Sequence, residues 1–469
     1  MTIINFLFYD YETFGINPAL DKPSQFACIR TDQDFNIIDN IYSIYCSPPD
    51  DYLPNLRSVL ITGITPQYAI SNGINEYYFS KKIYDIFSVK NTCIIGYNNI
   101  RFDDEFTRNI FYRNFFDPYG WHWKNNNSRW DLINIVRSCY VFCPNILVWP
   151  KNNGLPTFKL SHLTDANNII HSKVHNASSD IYATLELAKL IKSRTPKLFH
   201  FLFSYRIKNR LKMLVNQSCS FPLIYISACF GNARNNMSCI FPIFWNVQNL
   251  NMLIFFDLYM DINQLIIYIK NKKNYNNFTM KDLNLLGINI LYINQCPALF
   301  PINFLDRTRF LKFGINIENY LLKISILKKN LNLFKQIDFF FRNYKYQNNS
   351  DDVDLQIYSS FFNQYDISLM KMIHCNIPLN LQNINFKFSD LKIYEMLFRY
   401  RARNFPSILN NIEKKKWLFY RLTKFNQLFL HQYFLDLQDL ILKYANDFKK
   451  IQLLYNLLEY LNNFFLIKN

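Results

Sequence analysis

No two cysteines in the chain are spaced C-x-x-C, although ten are scattered over its 469 residues. Cys139 and Cys143, or the evenly spaced Cys219, Cys229 and Cys239, could be offered to a metal, but no histidine stands at zinc spacing from them. Buried, reduced thiols in a cytosolic protein are the expectation. A lipid-spanning segment is missing too. Residues 213–233 and 235–256 carry no charge, yet Asn, Gln, Ser and Pro interrupt both, which a bilayer core penalises. The chain opens directly on strand-like sequence, so no signal peptide is expected. No internal repeat of solenoid period is visible. These absences exclude a disulfide scaffold, a membrane protein and a repeat array, and leave a cytoplasmic protein as the expectation.

What is present is apolar and basic. Half of the residues are hydrophobic and 18% are aromatic, which suits a folded chain of about three domains. The formal net charge of +17 favours an anionic partner, nucleic acid before a membrane surface. The abundance of Asn, Lys, Ile, Phe and Tyr also fits compositional drift, so charge alone carries little weight. The first part reads as α/β. Residues 3–10, 25–31 and 35–46 are expected as strands, with "TDQD" joining the last two. A helix is expected at 75–87 and a strand at 92–98, with helices following at 102–114, 128–140, 160–167 and 177–193. Pro196 marks a boundary. Short mixed segments fill 198–348, with apolar runs at 222–230 and 252–258. The Asn/Lys-rich pieces 270–277 and 344–352 read as loops. Long helical periodicity dominates after 353.

Three segments carry chemistry. "FLFYDYETFG" (6–15) ends an apolar strand on Asp10 and Glu12, which alternation places on one face. Two carboxylates so close call for a cation between them, although a lone D-x-E is more often a solvated strand end. "GYNNIRFDDEFTR" (96–108) starts a helix at Asp103 and Asp104. "HNASSDIYATLELAKLI" (175–191) sets Asp180 within a helix, with His175 just before it. Singly, each reads as capping or solvation. Together and in this order they form a pattern.

That pattern, D-x-E, N-x-x-x-F-D and H-x-x-x-x-D, resembles the signature of the DEDD 3′→5′ exonucleases. The histidine five residues before the last acid marks the subclass with a His base; the sister subclass carries Tyr where Asn176 stands. "DKPSQFACIRTD", "DDYLP", "VLITGITPQ", "TRNIFYRNF", "SRWDL", "FKLSHL" and "YRARNFP" extend the resemblance to the bacterial exonuclease I family over nearly all of the chain, most thinly across 246–350. The resemblance implies an α/β, ribonuclease-H-like exonuclease domain (1–195), an SH3-like barrel domain (196–350) and a C-terminal α-helical domain (351–469). It implies Asp10, Glu12, Asp103 and Asp180 as metal ligands and His175 as general base, with Asp104 the less favoured alternative to Asp103. Two Mg²⁺ ions are expected, with Mn²⁺ able to replace them, since small hard cations prefer carboxylate oxygen and can clamp both the attacking and the leaving oxygen. An imidazole suits proton transfer near neutral pH.

The implied activity is Mg²⁺-dependent 3′→5′ exonuclease cleavage of single-stranded DNA to 5′-mononucleotides, in DNA repair and recombination. Glu12, Arg108, Tyr119, Trp123, Arg137 and Lys159 are the expected substrate contacts. Lys159 stands where the family usually has Arg, which keeps charge but loses the bidentate fork. Asn176 replaces a family Asp that is not a ligand. Residues 97–137 interleave Arg101, Phe102, Arg113, Trp121, Arg129 and Trp130 with these contacts, offering either stacking faces or an aromatic mini-core. Arg401 and Arg403 could serve phosphate, an acidic peptide or helix caps. A monomer is expected, with single-stranded DNA and the acidic C-terminal tail of single-stranded DNA-binding protein as partners. An RNA-trimming or proofreading exonuclease, or a non-catalytic binder on the same fold, stay as alternatives; the long C-terminal half and the complete acid set argue against them.

Overall fold

The computed structural model describes residues 4–172, 174–218, 220–272, 278–344, 350–376, 380–381, 384 and 386–466. Cys219 and most of the two Asn/Lys-rich pieces lie outside the described residues. Packing groups the chain into two compact units that cut across sequence order. One comprises Met1–Asn127, Ser172–Tyr182 and Asn348–Asn469, the other Ser128–His171 and Ala183–Gln347.

The first unit is built on β1 (Asn5–Thr13), which pairs antiparallel with β2 (Pro23–Thr31). β2 pairs antiparallel with β3 (Tyr42–Cys46). Helices α1 (Leu56–Thr62) and α2 (Pro66–Asn72) follow, and β4 (Gly73–Ile74) adds parallel to β3. After α3 (Glu76–Phe87), β5 (Thr92–Gly96) pairs parallel with the other edge of β1, and α4 (Asp103–Arg113) continues from it. Apolar residues on both faces mark β1 as central. Phe6 and Phe8 meet Phe35 on one side, while Leu7, Tyr9 and Tyr11 join the core with Phe79, Phe87 and Phe111 on the other.

The strand expected over 35–46 starts only at Tyr42. Asp32 Oδ1 accepts the amides of Asp34 and Asn36 at 2.8 Å each, and Phe35 turns left-handed (φ 66°) so that its ring can pack under Phe6 and Phe8. The helix expected from 128 begins at Leu132 as α5 (Leu132–Phe142), because Ser128–Asp131 is extended and Asp131 caps the helix. The second unit also holds α6 (Leu160–Ala166) and a five-stranded antiparallel sheet. Its strands are Leu223–Ile226, Met237–Trp245, Met252–Asp257, Ile288–Tyr292 and Ala298–Pro301. Helices Ile262–Asn271, Ile317–Lys329 and Leu331–Asn343 stand where only mixed segments were expected. α7 (Ala177–Arg194) begins in the first unit, and Pro196 opens the next helix at its first turn. Among the described residues, no helix is long and apolar enough to cross a membrane.

In the first unit the C-terminal helices share cores with the sheet-bearing part. Tyr77, Tyr112 and Phe115 pack with Met370, Ile393, Met396 and Tyr400, while Phe14, Leu56 and Val59 pack with Leu437 and Leu457. Buried charges fasten the same joint. Arg403 Nη2 reaches Asp51 at 2.9 Å and Asp354 at 2.6 Å, Arg399 Nη1 reaches Asp354 at 3.1 Å, and Lys424 reaches Asp51 at 3.1 Å. Arg401 pairs with Glu413. Both arginines of "YRARNFP" thus serve internal carboxylates. Burial alone would raise the Asp51 carboxyl, but Arg403 and Lys424 hold it well below its usual range. Glu76 behaves alike: burial pushes up, and Arg113 and Lys22 bring it down to about 2. A folded pKa below the unfolded one gives stability that is complete above about pH 4.5 and is lost as pH falls through about 2.

Removing one member of such a network strands the others. Arg403→Met should cost about 3–5 kcal/mol of unfolding free energy in denaturant melts. A midpoint within error of the wild type would show that the pairs contribute nothing.

Candidate active site

β1 delivers the first two acids. Its alternation turns Tyr9 and Tyr11 toward α4 and leaves Asp10 and Glu12 on the opposite side of the strand. The chain after β5 turns sharply at Asn98, which is left-handed (φ 64°), and a single 3₁₀ turn over Asn99–Arg101 leads into α4 at Asp103. The Tyr11 amide donates to Asp103 Oδ1 at 3.2 Å, which ties the helix start to β1. At the third segment His175 is left-handed (φ 62°) and exposed, a conformation that costs a non-glycine residue energy and often marks a functional turn. Asn176 then caps α7, accepting the Ser179 amide at 3.3 Å, and Asp180 lies in the first turn. Asparagine caps as well as aspartate.

Asp10, Glu12, Asp103, His175 and Asp180 line one cavity of about 280 Å³. Ligand atoms of Glu12, His175 and Asp180 lie within 4.8 Å of one another. Burial pushes the Asp10 carboxyl well above its usual range, and the charges of Asp103, Glu12 and Asp180 push the same way. Glu12 is raised to about 8 by burial, then by Asp180 and Asp103. Acids that raise one another are what a divalent cation relieves, and the oxygen-rich donor set fits a hard cation. A candidate metal site is therefore present. Asp104 is not in the cavity; it is fully buried and accepts hydrogen bonds from Tyr9 and Asn99.

The wall also holds residues that sequence patterns did not single out, Thr13, Ile16, Ser58, Ile61, Thr62 and Tyr97, beside Asn98 and Phe102 of the second motif. Ser58, Ile61 and Thr62 ride on α1, a seven-residue helix marked in the sequence only at its ends, by the Asn55 cap and the left-handed Gly63. Ile16 is 78% exposed and Ile61 57%, so the cavity mouth is apolar while its floor is acidic.

The expected substrate contacts scatter. In the first unit Trp123 is 59% exposed beside Lys124, and Tyr119 is half-buried, its hydroxyl donating to Ile357 O at 2.7 Å. Arg108 is buried and engaged by Glu105 and Tyr358. In the second unit Lys159 is exposed at the start of α6, and Arg137 lies 6.0 Å over the Phe158 ring. The broader stacking surface expected between 119 and 130 is mostly core. Trp121 stacks on Phe87 and Trp130 packs on Phe199, because their rings complete apolar clusters. Arg113 and Arg129 are buried as well.

Comparison with known proteins bears on this geometry. The sequence matches the Exonuclease family over residues 7–188, the Exonuclease I SH3-like domain over 206–343 and the Exonuclease I C-terminal domain over 351–464. Exodeoxyribonuclease I of Buchnera aphidicola subsp. Schizaphis graminum is 51% identical over 458 residues, spanning 97% of this chain and 95% of the relative. The crystal structure of E. coli exonuclease I in complex with a dA16 oligonucleotide superposes with a TM-score of 0.93 at 43% identity, covering 98% of this chain and 100% of that one. A structure of SSB/exonuclease I with an inhibitor gives a TM-score of 0.93 at 43% identity, covering 99% and 100%. An α/β exonuclease domain, an SH3-like domain and a C-terminal domain make up the chain, and it belongs to the exodeoxyribonuclease I family.

Proposed function

We propose that the chain is a Mg²⁺-dependent 3′→5′ exonuclease that degrades single-stranded DNA to 5′-mononucleotides, in DNA repair and recombination. The observation that carries this reading is the convergence of Asp10, Glu12, Asp103, Asp180 and His175 on one cavity in a member of this family. The four carboxylates would hold the metal. Two bound divalent ions supply charge stabilisation for both the attacking and the leaving oxygen of a phosphodiester. His175 takes the proton from the attacking water, its exposed ring standing beside Glu12 and Asp180. Ile16, Ile61 and Phe102 form an apolar rim suited to a terminal nucleobase, and the Thr13, Ser58 and Thr62 hydroxyls can meet sugar or phosphate.

Trp123 and Tyr119 are proposed to stack bases, with Arg108, Arg137 and Lys159 toward phosphate; Arg108 would exchange part of its bond to Glu105 for the strand. Domain limits at 1–195, 196–350 and 351–469 are proposed from the same resemblance. So are a monomeric cytoplasmic state and docking of the acidic tail of single-stranded DNA-binding protein on the basic chain.

Asp10→Ala or Asp180→Ala should abolish release of nucleotides from end-labelled single-stranded DNA while single-strand binding persists. Substantial cleavage by either variant would sink the metal assignment. His175→Ala should lose about 10²–10⁴-fold in rate yet keep metal affinity, because a general base need not bind the ion. Calorimetric titration showing affinity falling with rate would make His175 a ligand instead. Trp123→Ala should weaken single-strand binding by about 1–3 kcal/mol, and Arg137→Ala should flatten its salt dependence. Both are read over a salt series in an Asp180→Ala background; an unchanged salt slope would place the strand elsewhere.

A further inference from the structure

Asp104 follows Asp103 in sequence but does not line the cavity. Successive residues of a helix are turned by about 100°, so when Asp103 faces the acids of β1, Asp104 faces the core. There its carboxylate is fully buried and accepts the Tyr9 hydroxyl and, at 3.1 Å, the Asn99 Nδ2–H. An acid in the first turn of a helix is favourable in solvent through the helix dipole. Burying it has a cost that an exposed acid would avoid. The helix-dipole role therefore does not account for its placement.

The surroundings point to a docking function. Thr107, three residues on and on the same face of α4, is hydrogen-bonded to the Tyr11 hydroxyl at 3.1 Å. Tyr9 and Tyr11 alternate along β1 with Asp10 and Glu12. One face of the strand thus grips α4 at two points a turn apart, and the opposite face carries the two acids. Asn99 closes the third side, and only glycine at 96 lets it come so near: a Cβ there would lie 2.8 Å from Asn99 Cβ and 3.0 Å from Tyr9 O.

We propose that Asp104, held by Tyr9 and Asn99, is a positioning residue that fixes the register of the first turn of α4 on β1, and so the placement of Asp103 beside Asp10 and Glu12. The proposal rests on the metal-site reading of Asp103.

Cleavage kinetics on end-labelled single-stranded DNA, Mn²⁺ titration without DNA and thermal melting test it on the full chain. Asp104→Ala should lose about 10–100-fold in kcat and about 10-fold in Mn²⁺ affinity, with KM changed less than about threefold. Asp104→Asn, whose amide oxygen can still accept from Tyr9 and Asn99, should recover most of kcat. Tyr9→Phe should lower kcat in the same way, and adding it to Asp104→Ala should cost little more. A folded Asp104→Ala with wild-type kcat and Mn²⁺ affinity, even if it melts earlier, overturns the positioning role. If that variant does not fold, an unchanged kcat in Tyr9→Phe overturns it. Asp103→Ala separates the two readings. Its inactivity beside a fully active Asp104→Ala refutes positioning alone, whereas an active Asp103→Ala refutes the metal site and this proposal with it.

Discussion

Mutual repulsion among carboxylates at the end of β1 is the constraint around which the rest is arranged. Asp10, Glu12, Asp103 and Asp180 come from three separate segments; burial and then the charges of the other three raise the cost of ionising Asp10. A flexible chain would relax by moving them apart. Here β1 is paired on both edges and packed on both faces, α4 is pinned to it by Tyr11 and Asp103, and Asn176 fixes the start of α7. The rigidity of the sheet is what keeps an unfavourable charge arrangement in place. A cation entering the cavity would relieve that repulsion, which would link metal binding to the stability of this region.

The same unit handles other buried acids in the opposite manner. Glu76 meets Arg113 in a two-pronged pair at 3.1 and 2.9 Å and also accepts Asn114 Nδ2–H at 2.9 Å; Asp51 and Asp354 share Arg403. Those carboxylates are held ionised, with folded pKa values driven down. Glu12 is instead raised to about 8, by burial and then by the charges of Asp180 and Asp103. Two environments in one unit separate cation-paired carboxylates from carboxylates that face one another, at similar depth.

The parts legible in the sequence were those with local signals. The apolar run of β1 ending in D-x-E, the strand at 92–96 and the helix opened by Asp103 all announce themselves through their hydrophobic pattern. α1 and α2 did not, because seven residues hold too few turns for a period to emerge, leaving only end signals: Asn55 and Gly63 around the first, Thr65 and Pro66 at the start of the second. Spacing could not tell Trp123 from Trp121 and Trp130, since exposure of a ring depends on what packs there from elsewhere, such as Phe87 or Phe199. The partners of Arg401 and Arg403 were invisible for the same reason: one lies 12 residues away and another 352.

That last separation has a consequence for how the molecule is made. Asp51 leaves the ribosome 352 residues ahead of the arginine that neutralises it. At about 5–20 residues per second, it waits about 20–70 s for that partner. A buried, unpaired carboxylate is costly, so the nascent N-terminal part keeps this edge hydrated and Asp51 in water until the last quarter of the chain emerges. The sheet can form early, but its joint with the C-terminal helices can close only near the end of synthesis. Translation order is thereby written into the position of one ion pair.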